Sequence, residues 1–168
     1  MICSIAEFKK MWTAESEITA RVLAALTDAS LEQRVAPEDR TLGEIAWHLT
    51  TSIPEMGSHT GLSFEGPPHD APVPDSASTI AETHKHVAWS LLDQVARDWS
   101  DATLQVKDEM YGEKWKRAFT LTVLIIHEIH HRGQVSVLMR QAGLRVPSIY
   151  GPNREETEAM AQAAGRPS

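Results

Sequence analysis

The chain has 168 residues, with 16 Lys and Arg against 23 Asp and Glu, a net charge of −7. That length fits one domain spanning residues 1–168 and suffices to bury most of what the unfolded chain exposes. The negative balance is the wrong sign for a protein that tracks phosphates along nucleic acid. The single cysteine, Cys3, excludes an intrachain disulfide and fits the reducing cytoplasm.

The N-terminus "MICSIAEFKKMW" has no basic patch followed by an apolar run, so it does not read as a secretory signal. The longest apolar stretch, "LTVLII", falls far short of the roughly 20 residues that cross a bilayer. A soluble protein with no membrane or nucleic-acid partner is expected.

Helical periodicity begins near Ser4, where "SIAE" offers a hydroxyl for an orphan amide and a glutamate three residues on. Phe8, Met11, Trp12, Ile18, Val22 and Leu26 mark the expected core stripe. A second helix opens with "TLGE" and carries Leu42, Ile45, Leu49 and Met56 on one face, with His48 at its edge. Pro54 removes a backbone donor, so this helix is expected to bend or fray there.

Residues 61–78, "GLSFEGPPHDAPVPDSAS", contain four prolines and read as a loop, either a crossover, a pocket cover or a plain surface excursion. The third helix is expected from the capping sequence "TIAE", with Ile80, Val87, Leu91, Val95 and Trp99 inward. Its His84 and His86, two apart, face different sides and are expected at the surface or boundary. Residues 101–117 leave a short hairpin and an irregular excursion open. The fourth helix spans about residues 120–142 and stops at Gly143, and a short extra helix capped by Asn153 follows. Four long helices without a convincing alternating strand indicate an all-α four-helix bundle.

The fourth helix carries "HEIHHRGQ", residues 127–134. Residues four apart on a helix differ by about 40° around its axis, so His127 and His131 can face one ion; His127 and His130 can as well. His127 and His131 share a stripe with Leu124, Val135 and Leu138, which favours the first pair modestly. His48 would add a third imidazole from another helix, and bundles build metal sites from facing helices. Three neutral nitrogens would leave a coordination position open, the pattern of a catalytic site.

The motifs "GEIAWHL", "HEIHHRGQ" and "LMRQAGLRVPSIYGP", in that order, resemble the DinB/YfiT-like superfamily of bacterial metal-binding proteins over nearly the whole chain. The resemblance implies an up-down-down-up bundle with a divalent metal, zinc or nickel, on His48, His127 and His131, and with His130 outside the ligand set. It also implies thiol-dependent chemistry: characterised relatives transfer low-molecular-weight thiols such as bacillithiol or mycothiol to electrophiles, or isomerise maleylpyruvate with mycothiol. Hydrolysis is the alternative within enzymes, and non-catalytic metal or small-molecule binding is the alternative outside them. A homodimer is also expected from the family.

In either enzyme the nucleophile would be a water or thiol acidified at the metal rather than a side chain. Glu128, His130 and Gln134 are candidates to orient the ligand rings. Arg132 reads as structural, Tyr150 as a packing residue with a satisfied hydroxyl, and Cys3 as inert.

Overall fold

A computed structural model describes residues 1–165. Helices α1 (Ile5–Leu23), α2 (Leu42–Ser58), α3 (Ala77–Asp98) and α4 (Arg117–Gln141) form the bundle, and α5 (Arg154–Ala163) follows. Strands β1 (Lys107–Met110) and β2 (Glu113–Lys116) pair antiparallel just before α4. The undecided segment is therefore a hairpin. Tyr111 and Gly112 at its tip have φ of 51° and 82°, the left-handed pair that a two-residue turn matched to strand twist requires.

Contacts between elements fix the helix directions. Ile2 bonds to Thr122 and Arg132 reaches Glu15 and Thr19, so α1 and α4 run parallel. Ile5 bonds to Asp101 and Trp12 to Ala88, so α3 runs against α1. Tyr111, near the start of α4, meets Glu55, and His127 meets His48, so α2 runs against α4. The order is up-down-down-up, as expected. Parallel α2 and α3 need a connection that returns the length of the bundle, which accounts for the long proline-rich link between them.

Local signals set most helix ends. Ser4 Oγ accepts from Glu7 N at 3.1 Å, but the Glu7 carboxylate reaches Cys3 N rather than closing the box on Ser4. Thr41 with Glu44, and Asn153 with Glu156, form complete capping boxes. Gly143, at φ 78°, ends α4, and Leu144 N donates back to Met139 O at 2.9 Å.

Three expectations change. The third helix starts at Ala77, before the "TIAE" box, because Asp28 Oδ1 accepts the Ala77 N–H at 2.8 Å and supplies the cap from a distant turn. Helix α2 does not fray at Pro54 but continues to Ser58, with Pro54 buried in the packing. Met11 is exposed, and Thr19 takes a buried place on α1 instead.

The core divides into two apolar clusters. One holds Phe8, Trp12, Ile53, Val87, Leu91 and Leu121; the other holds Val22, Leu42, Ile45, Ile80, Val135 and Leu138. Along every bundle helix the switch between clusters passes through polar residues: Thr19 on α1, Thr50 to Ser52 on α2, His84 on α3, and His127, Glu128, His131 and Arg132 on α4. The histidine cluster lies in this polar layer.

Candidate metal centre

His48 comes from the middle of α2 and His127 and His131 from successive turns of α4. Each offers one nitrogen that could hold an ion, and the three nitrogens lie within 4.8 Å of one another. His48 Nε2 and His127 Nε2 are 3.2 Å apart. Bonds of 2.0–2.1 Å to a tetrahedral zinc would separate two ligands by about 3.3 Å, so this spacing fits an ion held between them.

His131 Nδ1 lies 2.7 Å from Gln134 Oε1, which accepts its N–H and leaves Nε2 as the ligand atom. This contact is the kind through which a neighbouring side chain orients an imidazole. Ser52 Oγ is 3.4 Å from His48 Nδ1, but its stronger bond, at 2.7 Å, is to the His48 carbonyl.

The electrostatics favour neutral, ligating imidazoles. Burial lowers the pKa of His48 to about 4, aided by the charges of His131, Arg40 and His69. Burial likewise lowers His127 to about 3, aided by His131, His48, His130 and Arg40. His131 is also lowered, first by burial, although Gln134 opposes the shift. A divalent ion binds neutral imidazole, so few protons need to be displaced at neutral pH.

His130 is exposed and lies outside the group, its ring 4.8 Å from that of His131. Glu128 does not orient a ligand ring: it points toward α3, about 100° around α4 from His127, and meets His84 Nε2 at 2.8 Å. His84 is therefore fully buried rather than at a boundary. His86 is exposed, as expected, with Nε2 3.1 Å from Glu65 O.

Arg132 is structural. Buried to 1% exposure, it donates to Glu15 O at 3.0 Å, to Thr19 Oγ1 at 3.1 Å and to the Glu15 carboxylate and Tyr150 hydroxyl at 2.5 Å each. The Tyr150 hydroxyl is satisfied as expected, although its ring is largely exposed. Cys3 is exposed.

Periodicity gave no warning of two further groups beside the cluster. His69, in the proline-rich link, has its ring 6.0 Å from that of His48. Arg40 precedes α2, and its charge acts on all three histidines. With Ile45, Gln134, Val137 and Leu138 it lines a cavity of about 400 Å³. Neither residue follows a helical stripe, so only the folded link and turn bring them to the site. Among the described residues, no helix is long and apolar enough to cross a membrane.

Comparison with known proteins agrees with this architecture. A sequence model of the DinB family matches residues 1–164. The Bacillus subtilis (strain 168) protein YrdA, described as uncharacterized, is 42% identical over 156 residues, 93% of this chain and 93% of that protein. The crystal structure of a DinB-like protein from Bacillus cereus superimposes with a TM-score of 0.86 at 45% identity, covering 89% of this chain and 100% of that one. The DinB-like protein YjoA of Bacillus subtilis shares the fold at 16% identity, with a TM-score of 0.66 over 85% of this chain and 96% of that one.

Proposed function

The chain belongs to the DinB family, and we propose that it is a cytoplasmic metal-dependent enzyme that transfers a low-molecular-weight thiol to small electrophiles. His48, His127 and His131 would hold a zinc or nickel ion. The observation that carries this reading is the convergence of three nitrogens from two helices within 4.8 Å. A three-histidine set leaves a position for an exogenous ligand.

A bound divalent ion would supply Lewis acidity, making a thiol more acidic than its ordinary pKa of about 8.5. The protein's own groups do the rest. Gln134 fixes the tautomer of His131 by accepting its Nδ1 proton. Ile45, Val137 and Leu138 offer apolar surface to the body of an electrophile, and Arg40 adds positive charge at the rim of the same cavity. A thiol that loses its proton to solvent can form a carbon–sulfur bond to the electrophile as the leaving group departs.

The exposed Ile126, Ile129 and Val137 on α4 support pairing with a second copy of the chain, which sedimentation would test.

The reaction is tested with chlorodinitrobenzene and each of bacillithiol, mycothiol, glutathione and cysteine. Thiol-dependent release of chloride should exceed the uncatalysed rate, fall when metal is stripped and fall in His48→Ala. Metal-dependent turnover of ester or amide substrates without thiol would replace thiol transfer by hydrolysis. Metal binding without either turnover would leave a binding protein.

A further inference from the structure

The link between α2 and α3 is docked at two places on either side of His69. Upstream, the Phe64 ring lies against Gly57 of α2, so close that a Cβ at residue 57 would fall 2.5 Å from Phe64 Cε2. Downstream, the buried Trp47 donates its Nε1 proton to Ala71 O at 2.9 Å. Trp47 is the neighbour of His48, so this bond pins the link directly beside the cluster.

Between the two docking points, Ala71 N donates to Pro68 O at 3.0 Å and closes a turn. His69 is its second residue. The turn presents the imidazole to the cluster edge-on to His48, at 6.0 Å between ring centres and an interplanar angle of 69°. Centre separations between His48 and the α4 histidines are 5.0 and 4.7 Å. His69 is thus about one ångström more distant than its cluster neighbours, and its exposed side chain can swing through that distance by rotation about its own bonds.

Three of the four other histidines outside the cluster have a partner, and the fourth, His130, stands on α4 rather than on the link. His59 meets Glu55, His84 meets Glu128 and His86 meets the Glu65 carbonyl. Among the described residues, no hydrogen bond or ion pair occupies the His69 nitrogens. An unengaged imidazole held by a doubly docked turn beside three converging imidazoles has one chemical partner suited to it.

We propose that His69 is a fourth, link-borne ligand of the ion held by His48, His127 and His131, and that it yields its position to an incoming ligand. The proposal rests on the metal-binding reading above. It gives the proline-rich link a role: the link closes the coordination sphere at rest and opens it without moving the helices.

The test uses the zinc-loaded and cobalt-loaded full chain. X-ray absorption should count four imidazoles on zinc in the wild type and three in His69→Ala. The exposed residue can be replaced without disturbing the core. Zinc affinity should fall at least about tenfold in His69→Ala, the scale on which losing even a partner of a ligand weakens a site. Azide, followed through the cobalt spectrum, should bind His69→Ala more tightly, because it no longer displaces an imidazole.

Three imidazoles and equal zinc affinity in both proteins would overturn the proposal while leaving the three-histidine site standing. A wild type that binds no zinc or cobalt would overturn both.

Discussion

His84 Nε2 lies 2.8 Å from Glu128 Oε1, and the two side chains are 0% and 2% exposed. The contact ties α3 to α4 through the polar layer, about 100° around α4 from His127 and about 60° from His131. His84 Nδ1 has no partner among the described residues, so Glu128 is its single anchor. Removing one member of a buried pair strands the other without water, at a cost of about 3–5 kcal/mol. His84→Ala should therefore lose about 3 kcal/mol in urea unfolding. The double replacement His84→Leu with Glu128→Met should recover much of that loss, because both polar groups are then gone. Equal destabilisation by the single and double variants would contradict this account.

Metal content should separate neighbouring histidines on α4. His127→Ala and His131→Ala should lose most bound zinc, whereas His130→Ala, altering an exposed ring outside the group, should retain it. Elemental analysis of protein purified without a metal-affinity step reads this directly. Full occupancy in all three single variants of His48, His127 and His131 would remove the site.

Gln134 would act one step out from an ion held by the three histidines. Without its carbonyl oxygen, 2.7 Å from His131 Nδ1, the ring can rotate or present the wrong tautomer. Gln134→Leu should weaken zinc binding by about 10- to 100-fold, measured by competition with a chromophoric chelator. Its unfolding midpoint without metal should change little.

The metal-free protein should lose stability as pH falls below neutral. Burial, together with neighbouring positive charge, lowers His48 to about 4 and His127 to about 3, against about 6.5 in the unfolded chain. Between those values the unfolded chain takes up protons that the folded chain refuses, which favours unfolding. The stability present above pH of about 6.5 should therefore drain away on descent toward about 4 and 3, with solvent at the partly exposed His48 moderating the loss. Thermal melts across that range read the slope. Zinc should flatten it over the upper part of the range, where the ion still outcompetes protons.

Arg132 forms bonds to α1 and to the segment after α4 that lysine cannot reproduce, because a guanidinium spreads several donors in a plane. Arg132→Lys should cost about 2–3 kcal/mol by leaving acceptors on Glu15 and Thr19 unpaired. Chemical unfolding of the metal-free chain would show it. A loss below a few tenths would mean that water replaces these bonds.

The elements legible in the sequence were those set by hydrogen bonds spanning three or four residues. Ser4, Thr41, Asn153 and Gly143 mark helix ends because cap donors and acceptors lie within one turn. His127 and His131 were legible for the same reason, since helical spacing alone puts them on one face. Their joining with His48 was suggested by family resemblance, and helix packing brings the three nitrogens together.

What only the tertiary structure decided depends on partners far along the chain. The "TIAE" signal at residues 79–82 was overruled because Asp28, 49 residues from Ala77, caps α3 earlier. His84 looked like a boundary residue until Glu128, 44 residues away, met it in the interior. His69 sits in a segment with no period to read, and Trp47 places it beside His48 through one bond to Ala71. Local chemistry chose where helices begin and which faces are apolar, whereas burial of a polar side chain was decided by whether another helix delivered a partner for it.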